Sequence, residues 1–88
     1  MVSNDSVMDF PCAFPIKAMG RSGGSFESIV SEIVLRHARL YDGHEVRARE
    51  SGAGNFVSVT ITVEAESREQ LDRIYRELTA CEQVLMAL

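Results

Sequence analysis

Between Val57 and Glu64 apolar and polar residues alternate without interruption: Val57, Val59, Ile61 and Val63 fall on one side, Ser58, Thr60, Thr62 and Glu64 on the other. Successive side chains of an extended chain point to opposite faces, so this run is a strand with one buried and one polar face. β-branched residues throughout favour that pleated, half-buried surface. The segment is expected to be a central strand of a sheet that carries its core on one side only.

The remaining elements fall around it. Two prolines in Phe10-Pro11-Cys12-Ala13-Phe14-Pro15 fix an extended approach and fit a strand only at its start or at an edge. A first strand is expected over about residues 14–19, with Phe14, Ile16 and Ala18 on one face and Lys17 and Met19 on the other. Gly20 to Gly24 end it. Ser25 stands at the N-cap position of a helix whose Phe26, Ile29, Val30, Ile33, Val34 and His37 recur at spacings of three and four, a one-sided apolar stripe. Arg36, His37 and Arg39 lie at its end, where positive charge complements the exposed carbonyls.

A second strand is expected over about residues 44–50, followed by the hairpin loop Ser51-Gly52-Ala53-Gly54-Asn55 and the alternating third strand. Ser67 with Gln70 forms a capping box before a second helix of about residues 68–79, with Leu71, Ile74, Tyr75 and Leu78 as its stripe. A fourth strand of about residues 83–88 closes the series. Met1 to Asp9 are polar and aperiodic and are expected to form a disordered tail, with residues 10–88 as a single domain.

Strand, helix, strand, strand, helix, strand is the split βαβ order: an α+β, ferredoxin-like βαββαβ sandwich. Its four-stranded antiparallel sheet has the order 4-1-3-2, with both helices on one face. The other face is left open, and its expected residues are Lys17, Met19, Glu45, Arg47, Arg49, Ser58, Thr60 and Thr62. Strands two and four are edges that invite pairing with a second copy or a partner strand.

Composition narrows the function classes. Nine Lys and Arg against thirteen Asp and Glu give a net charge of -4, which opposes the cationic field that nucleic-acid binding requires. No apolar run reaches the roughly 20 residues of a membrane span, and the N-terminal segment lacks a basic n-region. A cytoplasmic protein is expected, with no membrane partner. Cys12 and Cys81 fall at opposite ends of neighbouring strands and are expected to stay free thiols. No metal is indicated, because neither cysteine has a ligand-spaced neighbour and His37 and His44 are separated by a turn. No cofactor motif occurs, since neither GxGxxG nor a P-loop is present.

Two surfaces remain as candidate sites. The loop Gly20 to Ser25 precedes a helix N-terminus, where backbone N–H groups and Arg21 suit a small anionic metabolite. The open face offers Lys17, Arg47, Arg49 and Thr60 to a protein partner. A non-enzymatic regulatory or interaction module is the leading expectation. One alternative is a small acylphosphatase-like hydrolase dependent on Arg21 or Asn55, although Glu27 beside the loop would repel phosphate. The other is a purely structural homodimeric accessory protein joined through its strand edges.

Phe10-Pro11 with Phe14, Ile16-Lys17-Ala18-Met19-Gly20, the helix ending at His37, Ser51 with Gly54-Asn55-Phe56, Ser58-Val59-Thr60-Ile61, Tyr75 with Glu77-Leu78, and the terminal Val84 to Leu88 together resemble the YbeD-like family of small uncharacterised bacterial proteins. The resemblance implies a ferredoxin-like fold similar to the ACT-type regulatory domains, which bind amino acids and couple that binding to enzyme subunits. Such domains place effectors near the loop after strand one, which nominates Met19, Gly20 and Arg21.

Overall fold

The computed structural model describes residues 9–88, so the expected N-terminal tail lies, Asp9 apart, outside the described residues. Six elements follow the expected order: β1 (Cys12–Arg21), α1 (Phe26–His37), β2 (Arg47–Ser51), β3 (Phe56–Ala65), α2 (Arg68–Ala80) and β4 (Met86–Ala87). The antiparallel sheet runs β2-β3-β1-β4, which is the expected 4-1-3-2 read from the opposite edge.

β1 and β3 pair along their whole length, from Cys12 opposite Ala65 to Arg21 opposite Phe56. Ile16, Ala18, Val59, Ile61, Val63 and Ala65 point to one side and are buried against Phe26, Val30, Ile33 and Val34 of α1 and Leu71, Ile74 and Leu78 of α2. Burying each of those side chains that is a Val, Leu, Ile or Phe stabilises the fold by roughly 1.5–3 kcal/mol relative to leaving it exposed. Both helices therefore cover the same face of the sheet, and the alternation of β3 is what selects that face.

β1 is longer than the sequence reading gave, beginning at Cys12 and running through Pro15. The backbone phase explains why proline is accepted. Lys17 and Leu88 exchange N–H to O bonds of 3.1 and 2.7 Å, so the odd residues of β1 turn their backbone groups toward β4 and the even ones toward β3. Pro15 is odd, and the β4 side is paired no further along than Lys17. Its missing donor faces an open edge.

β2 and β4 are both shorter than expected. β2 starts at Arg47, not His44, which takes Glu45 out of the strand. In its place the segment before β2 bonds to β3: the Tyr41 N–H donates to Thr62 O and the Glu64 N–H to Arg39 O, each at 2.9 Å, around a bridge between Leu40 and Val63. The outer edge of β3 is thus covered in two pieces, with residues 42–46 looping out between them. β4 keeps only Met86 and Ala87 as strand, and a Leu85 N–H to Met19 O bond of 2.8 Å extends it backwards. The Tyr75 hydroxyl donates to Leu88 O at 2.7 Å, pinning the chain to α2, and burial pushes the pKa of that hydroxyl up.

The two helix starts differ. Ser67 caps α2 with its side chain, accepting from the Gln70 N–H at 3.0 Å, whereas Ser25 occupies the N-cap position of α1 but makes no side-chain cap bond. Gln70 does more than a capping box asks. Its carbonyl accepts from the Glu66 N–H at 2.7 Å and its amide donates to His37 O at 3.0 Å, so this buried residue ties the start of α2 to the end of α1. Cys12 and Cys81 are free and half-buried. Cys12 sits at the Ala65 end of β1, while Gln83, two residues past Cys81, approaches Gly20 near the other end.

Candidate functional site

β1, β2 and β3 put their outward side chains on the open face in register. Arg47 lies opposite Thr60, which lies opposite Lys17; Arg49 lies opposite Ser58, which lies opposite Met19. The four partner-face residues proposed from sequence, Lys17, Arg47, Arg49 and Thr60, are therefore neighbours. Together with Ala48 and Ser58 they line a shallow depression of 600 Å³. The spacings of a sheet set Arg47 and Arg49 about 7 Å apart along β2, and Arg47 and Lys17 about 10 Å apart across two strands.

All three cations are exposed. Among the described residues none of them joins an ion pair, the pairs found being Arg36 with Glu77, His37 with Glu77 and Arg39 with Glu64. No carboxylate is among the described residues lining the depression. At the end of the same face the Arg21 guanidinium carbon lies 6.0 Å from the centre of the Phe56 ring, within cation–π range. Next to the cations on the β4 side are apolar groups, with Met86 and Leu88 half or more exposed.

The loop candidates are arranged differently. Gly20 is buried, and a Cβ there would sit 2.4 Å from Phe26 Cε1 and 2.6 Å from the Gln83 carbonyl oxygen. The space above it is filled by the protein itself. Met19 turns to the open face, away from Gly20, as strand alternation requires. Arg21 and Ser25 do border one depression of 450 Å³, shared with Gly23, Gly24 and Phe26 and closed on the far side by Glu82, Gln83 and Leu85. The loop is tied to the hairpin by a Ser22 hydroxyl donating to Gly54 O and by the Ser22 N–H bonding Asn55 O at 3.0 Å.

A further cluster that the sequence reading assigned only to the helix dipole lies between the helices. His37 Nε2 is 2.6 Å from Glu77 Oε1, and Arg36 Nη1 pairs with the other carboxylate oxygen. The hydrogen bond from His37, with help from Arg36, holds the Glu77 carboxyl below the usual glutamate range. Arg36 and His37 at the end of α1 and Glu77 on α2 had carried only the signal of their charges. Their meeting depends on how the two helices are laid side by side.

Comparison with known proteins decides the family. The family described as "Protein of unknown function (DUF493)" matches residues 5–88. The chain belongs to this family. Curated family relatives include the UPF0250 protein of Paraburkholderia phymatum, 42% identical over 85 residues that cover 97% of this chain and 96% of that one. The UPF0250 protein of Neisseria gonorrhoeae is 43% identical, covering 94% and 91% of the two chains, and that of Chromobacterium violaceum is 43% identical, covering 93% and 92%. This is the YbeD-like group that the sequence motifs resemble. The fold also matches the solution structure of protein HP0495 from H. pylori, with a TM-score of 0.72, covering 92% of this chain and 85% of that one at 13% identity. That likeness shows the ferredoxin-like fold alone. Among the described residues no helix is long and apolar enough to cross a membrane.

Proposed function

We propose that this protein is a non-enzymatic interaction module that docks an acidic protein partner on its open sheet face. The observation that carries the reading is the depression over Ser58 and Thr60, where Lys17, Arg47 and Arg49 converge with no carboxylate among the described lining residues. On a chain of net charge -4 such a patch is a local reversal of sign. Three like charges on positions within about 12 Å of one another repel, and an anionic surface relieves that repulsion. Elsewhere the negative chain repels the same partner, so the field directs the encounter to this face.

Charge also ranks the face above the loop. Arg21 and Ser25 share their depression with Glu82, which offsets the cation, while Gly20 is occupied by Phe26.

The test is binding of fluorescently labelled hexaglutamate at low and high salt. The double variant Arg47→Glu with Arg49→Glu is compared with Arg73→Glu with Arg76→Glu, which changes net charge equally but alters the exposed side of α2. The expected result is salt-sensitive binding that weakens at least about tenfold for the β2 pair and by a smaller, equal-charge effect for the α2 pair. Equal losses in both variants would reduce the effect to net charge and remove the face as the site.

A further inference from the structure

β2 is an edge strand whose five residues are all exposed, and the backbone phase shows which of its groups are free. Because the odd residues of β1 bond toward β4, the even residues of β1 bond the odd residues of β3. The even residues of β3 then turn outward, as the bonds of Thr62 to Tyr41 and Glu64 to Arg39 confirm. Thr60, Ser58 and Phe56 accordingly bond Arg47, Arg49 and Ser51, their register partners. The N–H and C=O groups left pointing away from the sheet belong to Ala48 and Glu50.

A strand added antiparallel at this edge bonds through Ala48 and Glu50, and its residues opposite Arg47 and Arg49 form the non-hydrogen-bonded pairs. Side chains approach most closely in such pairs, about 4.5 Å between Cα atoms. Those two positions are alternate residues and share the open face with the guanidinium groups. The residue between them turns to the helix side, beside Ala48, the half-buried Val57 and the buried Phe26, which line a second depression. The next residue lies opposite Glu50.

We infer that β2 accepts an extended segment of the acidic partner as a fifth strand, reading the pattern acid, apolar, acid, base opposite Arg47, Ala48, Arg49 and Glu50. The inference rests on the open-face reading and adds to it the backbone edge and the spacing of the acids. A second copy of the chain is the poorer occupant of this edge. A two-fold pairing that uses all five residues of β2 sets Arg49 against Arg49 on one face, and like charges directly opposite are destabilising.

The test uses three capped peptides on the full-length, 15N-labelled chain. The first, written from its N-terminus to pair antiparallel with β2, is Thr-Lys-Glu-Val-Glu-Thr, the second has the same composition with adjacent acids, Thr-Lys-Val-Glu-Glu-Thr, and the third is the first with its valine N-methylated. The expected result is that the first peptide slows hydrogen exchange at the Ala48 and Glu50 amides, and that the other two bind at least about tenfold more weakly. Equal binding of all three, with the Ala48 and Glu50 amides unprotected, would overturn strand addition while leaving the basic face standing. No binding of the first peptide would overturn it too, and the hexaglutamate titration then reports separately on the face. Protection of both amides in the free protein, with dimer mass in solution, would assign the edge to a second copy.

Discussion

Replacing Gly20 by alanine sets two effects of opposite sign against each other. Gly20 lies inside β1 with no left-handed backbone requirement, so alanine reduces the entropy of the unfolded chain and should stabilise by about 0.4–1 kcal/mol. Against this, the new methyl sits 2.4 Å from Phe26 Cε1, 2.7 Å from Phe26 Cδ1 and 2.6 Å from the Gln83 carbonyl. The Phe26 ring can rotate only within a packed core, and the carbonyl is main chain. Overpacking of this kind costs roughly 1–3 kcal/mol, so the net expectation for Gly20→Ala is a loss of about 1–2 kcal/mol. For a chain of this size that lowers the melting midpoint by roughly 5–15 °C. Urea and thermal unfolding followed by circular dichroism give the value. The double variant Gly20→Ala with Phe26→Leu separates the two contacts, because it removes the ring but not the carbonyl, and it should not restore the methyl's full entropic gain. A Gly20→Ala protein as stable as the parent would refute the packing account of this position and reopen the space over Gly20 for a ligand.

Three other perturbations follow from the contacts described. Gln70→Leu removes two part-buried hydrogen bonds, from the Glu66 N–H and to the His37 C=O, and at about 0.5–1.5 kcal/mol for each should cost about 1–3 kcal/mol in urea unfolding. Ser67→Ala removes a side-chain cap and should cost about 1 kcal/mol, whereas Ser25→Ala removes none and should leave the unfolding midpoint where it is. Glu77 has its folded pKa below the unfolded value, chiefly through the His37 hydrogen bond, so its contribution is present above the ordinary glutamate pKa and is lost as pH falls through the lowered one. Glu77→Gln should therefore be less stable than the parent near neutrality, and unfolding curves of the two should converge in acid.

Much of this architecture is written in the side-chain pattern, and what is not follows from backbone pairing. The alternation of Val57 to Val63 identified the central strand and its buried face, and the spacing of Phe26, Val30, Ile33 and Val34 identified α1. Both signals are local, because burial of a regular element repeats with its period. The bridge of Leu40 with Val63 left no such trace, since two backbone bonds from Arg39 and Tyr41 need no particular side chain. For the same reason the side-chain pattern extends β2 back to His44 and β4 over residues 83–88, whereas backbone pairing confines them to Arg47–Ser51 and Met86–Ala87. The pairing of Arg36 and His37 with Glu77 joins residues 40 or more positions apart, and only the docking of α1 on α2 brings them together.

The candidate sites divide in the same way. Lys17, Arg47, Arg49 and Thr60 were legible as one face because strand parity fixes direction, and a β2 that begins at Arg47 keeps both arginines. The loop carries only glycine and charge as its sequence signal. Phe26 filling the space over Gly20, and Glu82 bordering the depression with Arg21, depend on tertiary packing that leaves no local trace.

The most direct measurement of the central claim is a map of amide shifts in the 15N-labelled protein as hexaglutamate is added. Shifts centred on Lys17, Arg47, Arg49, Ser58 and Thr60, and reversed by salt, are the predicted result. Shifts centred instead on Arg21 to Ser25, with the open face unmoved, would contradict it and return the binding site to the loop.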